Sequence, residues 1–252
     1  MKTIAFILLL IPLNLFSDYP LKFGIPTSKG IEKYVNEKKD SLIVEYENFI
    51  KDTLFDIWIY TDDLTDYVDF DSLELGRYYP EEIIISTAEL FIAYELADLS
   101  KFRKTWISES NKFVKSTIFH ELTHDYFNQI IKEMRYIDSV HVSLEYVNFR
   151  FIIIAHTIFS ADFIEEGICE YMVENMEEII PPKKPFIPKT KEDLVDINNS
   201  YKVNYKYSSY YLKEFLDTTG FKKGVKILLY NSPPSYEEIL KPNLFFNRLI
   251  TY

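Results

Sequence analysis

Apolar residues recur at helical spacing over much of this chain. Between Lys29 and Leu54, Ile31, Tyr34, Val35, Leu42, Ile43, Tyr46, Phe49 and Ile50 stand three or four positions apart or side by side, which predicts a helix with one buried face. Two shorter pieces have strand character. Phe55 to Tyr60 alternates apolar and polar, and Ile83-Ile84-Ile85 is a β-branched run between Pro80 and the pair Ser86-Thr87. The acidic stretch from Asp62 to Glu74 reads as a solvated loop rather than a metal site. From Ser110, with Ser108 or Ser110 as cap, Phe113, Val114, Thr117, Ile118, Leu122, Phe127, Ile130 and Ile131 mark the buried side of a long helix.

Residues 144 to 159 form a second apolar piece with the character of a buried helix, and a third helix begins near Asp162 and ends at about Glu178. Pro181, Pro182, Pro185 and Pro188 then impose a loop, because proline cannot continue a helix or join a central strand. Tyr207 to Asp217 predicts a helix closed by Gly220, followed by a short helix over 221–230. Ser235, with Glu238 three positions on, has the form of a capping box. Dominant helices with a few early strands predict an α+β fold, mainly helical with a small N-terminal β-sheet. No internal repeat is present.

Composition narrows the function classes. At 47% hydrophobic and 27% charged over 252 residues, the chain has the make-up of a folded protein with a sizeable core. A formal net charge of -11 excludes a nucleic-acid partner, which would need a basic surface. Lys2 followed by the apolar run Ile4 to Phe16, broken by Pro12 and Asn14 and ending at Ser17, reads as a cleaved signal peptide over residues 1–17. That run falls short of the ~20 residues needed to span a bilayer, so no stable membrane insertion is expected. Residues 18–252 are then a single extracytoplasmic domain. Cys169 is the single cysteine, which forbids an internal disulfide.

Candidate chemistry lies in His120-Glu121-Leu122-Thr123-His124. On a helix, positions i and i+4 share a face, so both imidazoles can converge on one ion while Glu121, at the edge of that face, reaches a water. This H-E-x-x-H pattern is the helix-borne zinc site of metalloproteases. Zinc needs a third protein ligand in a catalytic site. A third His six residues further on, as in metzincins, is excluded by Ile130, and Phe127 stands where those enzymes have Gly.

The segment Phe163-Ile164-Glu165-Glu166-Gly167-Ile168-Cys169-Glu170-Tyr171 resembles the second active-site helix of gluzincins, the zinc peptidases that include thermolysin-like and aminopeptidase-like enzymes. The resemblance implies His120, His124 and Glu166 as zinc ligands, Glu121 as general base, and Glu170 as the acid that orients the first His. An exposed acid on a solvated face would look the same as Glu170. Glu165 competes with Glu166, since about 100° separates neighbours on a helix and only one can face the metal. Cys169 replaces the family's small Ala, and reads either as a small hydrophobe or as a thiolate ligand or nucleophile. His141 and His156, in the spacer, are further candidate ligands. The family also stabilises the oxyanion with a Tyr or His from a later helix; Tyr207 is the first choice here and Tyr210 the second. The implied fold is zincin-like, with the sheet packed on the H-E-x-x-H helix and a cleft-lining edge strand near residues 82 to 87. The implied activity is zinc-dependent hydrolysis of a peptide or protein substrate. A catalytically inactive binding or scaffold protein of the same fold is the alternative.

Overall fold

The structure, a computed structural model, describes residues 28–62, 76–79, 81–86, 106–147, 155–178, 185–196, 199 and 202–250. The expected leader, nearly all of the acidic stretch, and Pro181 and Pro182 lie outside them. The described chain is mainly helical with a three-stranded sheet, an α+β arrangement, and it falls into two compact units.

The first unit holds the start of helix α1 (Ser28–Ile50), in which Ile31, Val35 and Leu42 are buried and Glu32, Lys33 and Glu37 face solvent, as the spacing predicts. Strands β1 (Trp58–Asp62), β2 (Gly76–Tyr79) and β3 (Glu82–Ser86) are ordered β1-β3-β2. β1 runs parallel to β3, with Ile59 beside Ile83 and Thr61 beside Ile85. Ile83, Ile84 and Ile85 are all buried, so consecutive residues on opposite faces of β3 are both covered. This explains the unbroken β-branched run. It also corrects the expectation of a cleft-lining edge over 82–87: β3 is flanked by a strand on each side.

Helix α2 (Trp106–Lys132) belongs to the first unit as far as Ile118 and carries the H-E-x-x-H motif in its remainder, which belongs to the second. It begins at Trp106, so Ser108 and Ser110 sit inside its first turns rather than capping it. The back of α2 buries Phe119, Leu122, Thr123, Tyr126, Phe127 and Ile130. Thr123 Oγ1 donates to the Phe119 carbonyl at 2.7 Å and accepts from the Tyr46 hydroxyl at 3.0 Å. The two residues between the motif's Glu and second His thus anchor the helix, Leu122 on the side opposite the imidazoles and Thr123 on their flank. Past Lys132 the chain widens into a π-helical turn, Glu133–Ile137, held by Lys226, which donates to Glu133 and Asp138 at 2.8 and 2.9 Å.

The apolar stretch expected to be one helix over 144–159 contains the short α3 (Leu144–Val147) and the start of α4 (Ala155–Met176); residues 148–154 lie outside the description. Phe163, Ile164, Ile168 and Met172 of α4 are buried. A capping box missed in the sequence, Thr190 with Asp193, starts α5 (Lys191–Val195). A π-helical turn, Lys202–Tyr207, leads into α6 (Ser208–Thr219), which ends at Gly220 with φ of 80°, a left-handed value that favours glycine. α7 (Phe221–Tyr230), α8 (Tyr236–Leu240), which has the expected Ser235–Glu238 box, and α9 (Pro242–Arg248) complete the unit. Among the described residues no helix is long and apolar enough to cross a membrane.

Gly167 lets α4 and α6 meet. A Cβ built there would lie 2.8 Å from Ser208 Cβ and 2.9 Å from the Ser208 carbonyl carbon, much of it immovable backbone. Gly167→Ala is therefore expected to lower unfolding stability by about 1–3 kcal/mol in urea titrations. A gain of up to ~1 kcal/mol, as helix propensity alone would give, would contradict the tight contact.

Candidate metal centre

With its back buried, α2 turns His120 and His124 toward the face of α4 that carries Glu165, Glu166, Cys169 and Glu170. His120 Nε2 lies 3.3 Å from His124 Nε2 and 3.0 Å from Glu166 Oε2, and His124 Nε2 lies 3.7 Å from Glu166 Oε1. Nitrogen and oxygen ligands about 2.0–2.2 Å from a tetrahedral zinc stand about 3.3–3.5 Å apart. The nitrogen pair matches that spacing, and the two Glu166 oxygens bracket it, one at 3.0 and the other at 3.7 Å. Glu166 Oε2 is buried without a hydrogen-bond partner among the described residues, despite its 3.0 Å approach to His120.

The outer nitrogens show why these edges face inward. His124 Nδ1 meets Glu165 Oε1 at 2.7 Å, and His120 Nδ1 meets Glu170 Oε1 at 3.4 Å. Ionised carboxylates only accept hydrogen bonds, so each Nδ1 donates to its outer carboxylate, and both Nε2 atoms face one another and Glu166, where each holds either a proton or a lone pair. Such carboxylate–His pairs orient metal-binding imidazoles. Lys206 donates to Glu170 Oε2 at 2.5 Å, fixing that carboxylate in turn. Glu165 does not displace Glu166 as the inward carboxylate; the angle between them on the helix lets one meet the ring nitrogens from inside and the other from behind.

Ionisation follows from this crowding. Burial disfavours a charged ring at His120 and His124. At His120 it is outweighed by the Glu166 and Glu170 carboxylates, which hold the pKa well above the ordinary 6.5. At His124, Glu166 and Glu165 outweigh it and raise the pKa to about 9. Burial likewise opposes charge on Glu166 and Glu170. Both imidazoles nevertheless keep Glu166 ionised, and His120 and Lys206 hold Glu170 at about 2. Burial, with Glu166 and Glu165 nearby, pushes Asp162 up to about 7; it accepts from Asn204 Nδ2 at 3.2 Å. Glu121 is buried, and its charge is felt at His120, Cys169 and Tyr205.

Tyr207 is not brought to this cluster. Its hydroxyl donates to the Ile239 carbonyl at 2.8 Å and its ring packs on Phe163 and Tyr211, while Tyr210 is largely exposed. Tyr205 lies against the cluster instead. Its ring stacks on His120 at 5.9 Å, and burial followed by the charges of Glu166, Asp162, Glu121 and Glu170 raises the pKa of its hydroxyl strongly, so it stays a proton donor. Tyr78 stacks on His124 at 6.2 Å and donates to Asp125 at 3.1 Å. His141 is exposed and packs edge-on against Tyr230, away from the pair. The His156 side chain lies outside the described residues.

No protein-family profile, curated protein or solved structure matches this chain. The argument for a metal therefore rests on the donor set itself. The two imidazoles, the inward carboxylate and its unpartnered buried oxygen fit a divalent cation. The Cys169 sulfur also lies within 4.8 Å of nitrogens on both imidazoles. Burial, reinforced by Glu166 and Glu165, raises its thiol pKa well above 9.0, so Glu166 rather than Cys169 supplies negative charge to the imidazoles when no cation is bound.

A pH signature follows. In chelator-treated protein, His124 is protonated more readily when folded than when unfolded, so its contribution is complete below about 6.5 and is lost as pH rises toward about 9. Asp162, raised from 3.8 to about 7, acts in the same sense at lower pH. Glu170, lowered from 4.5 to about 2, removes stability as pH falls through that range. The thermal midpoint of the chelated protein should therefore decline between pH 6.5 and 9, and a midpoint rising over that interval would contradict the ring assignments.

Proposed function

We propose that this protein is an exported zinc metallopeptidase of zincin-like fold, acting on peptide or protein substrates. The observation that carries the reading is the convergence of His120 Nε2, His124 Nε2 and the Glu166 carboxylate: the two nitrogens are 3.3 Å apart and lie 3.0 and 3.7 Å from Glu166 Oε2 and Oε1 respectively. The apolar run from Ile4 to Phe16 supports export.

His120, His124 and Glu166 would hold the zinc. When bound, zinc supplies Lewis-acid polarisation of a carbonyl and lowers the pKa of a coordinated water to about 7. Glu121 accepts the proton of the attacking water and delivers it to the leaving amine. Its place beside the first His on α2 suits it to that role, which contributes ~10²–10⁴-fold in typical enzymes. The Tyr205 hydroxyl donates a hydrogen bond to the developing oxyanion, the role assigned to Tyr207 on sequence grounds. Glu165 and Glu170 keep both imidazoles in the tautomer whose Nε2 is free to bind the ion.

Glu121→Gln should keep a full equivalent of zinc and lose peptide hydrolysis by ~10²-fold or more. Tyr205→Phe should lower kcat by roughly 10²-fold with little change in KM, whereas Tyr207→Phe should leave kcat near the parent value. Chelator-sensitive cleavage of a mixed peptide pool reads all three. Cleavage by Glu121→Gln at the parent rate would remove the general-base assignment.

A further inference from the structure

The position that the resemblance gives to a small alanine holds a sulfur in this chain. Cys169 lies three residues after Glu166 on α4, fully buried, with Sγ within 4.8 Å of nitrogens on both imidazoles. A tetrahedral ion bound by nitrogen at about 2.05 Å and sulfur at about 2.3 Å has an N–S edge of about 3.6 Å. The sulfur therefore needs to close by at most about 1.2 Å, within reach of a side-chain torsion. Glu166, one turn earlier on the same helix, reaches the same imidazole pair, with Oε2 3.0 Å from His120 Nε2.

We propose that Cys169 is a fourth protein donor to this centre. With His120, His124 and Glu166 it makes a closed His₂-Glu-Cys set that competes with water for the fourth position. This rests on the metal-site part of the reading above and extends it. Hydrolytic zinc sites keep that position open, while sites filled by four protein ligands are structural. The chain thus carries both options in one place. On coordination the S–H bond breaks, a metal–sulfur bond forms, and the proton leaves to solvent. A dication deprotonates a coordinating thiol outright, even one whose burial otherwise keeps it neutral. Thiolate is a soft ligand, so the closed set favours soft ions such as cadmium, and hydrolysis falls as sulfur occupancy rises.

Because Cys169 is the single cysteine, a thiolate signal assigns itself. The full chain, stripped with chelator, is titrated with cobalt(II) and with cadmium(II). One equivalent should bind and generate a near-ultraviolet thiolate-to-metal charge-transfer band. That band should be absent from Cys169→Ser and Cys169→Ala and retained in Glu121→Gln. X-ray absorption on the cobalt-loaded parent, which needs no variant to fold, should show one sulfur scatterer at about 2.3 Å. Stoichiometric binding with no band and no sulfur scatterer overturns this inference and leaves the peptidase reading standing. A band and scatterer without chelator-sensitive hydrolysis uphold the inference and sink the peptidase reading. Failure to bind either ion overturns both.

Discussion

Two imidazole lone pairs and a carboxylate directed at one another from 3.0 to 3.7 Å are electrostatically untenable without positive charge between them. Protons meet this demand in part, which is why His124 holds its proton to about pH 9 and Glu166 stays ionised despite burial. A divalent cation meets it more completely, because it satisfies all three donors at once and also the buried Glu166 oxygen that has no hydrogen-bond partner. Much of the surrounding architecture holds these three groups in place.

That architecture works through the backs of the helices. Leu122 is buried on the side of α2 opposite the imidazoles, and on the flank the Thr123–Tyr46 hydrogen bond ties α2 to α1. Gly167, next to the inward carboxylate, lets the α4 backbone press against Ser208, so the third donor is set by close helix contact rather than by a flexible loop. The π-helical turn Lys202–Tyr207 wraps the open end. Its consecutive residues Asn204, Tyr205 and Lys206 reach Asp162, His120 and Glu170 in turn. Wide turns of this kind are frequent at functional sites because they re-aim side chains that a regular helix would point elsewhere.

Most of the helices were legible from spacing. The alternation of buried and solvent-facing positions in α1, the extent of α7 and the Ser235 capping box all followed from local pattern. The two imidazoles were legible from i,i+4 spacing, while Glu166 was pointed to only by the resemblance of its segment to the second gluzincin helix. What was not legible depends on longer-range geometry. β3 reads as a strand, but its central place between β1 and β2 is a matter of pairing order. Only Tyr207 and Tyr210 are candidates on sequence, because the matching segment starts at Tyr207; Tyr205 lies in a preceding π-turn, which cannot be read from α-helical periodicity. Glu165 looked like a rival to Glu166 only while the ion was the sole thing to bind; the outer His nitrogens gave it a separate task.

The most direct test is diffraction from crystals of the zinc-loaded protein, with anomalous data collected on both sides of the zinc absorption edge. The account predicts one strong anomalous peak within about 2.0–2.2 Å of His120 Nε2, His124 Nε2 and a Glu166 oxygen. A zinc peak held by other residues, or none between these helices in crystals grown with excess zinc, would contradict it.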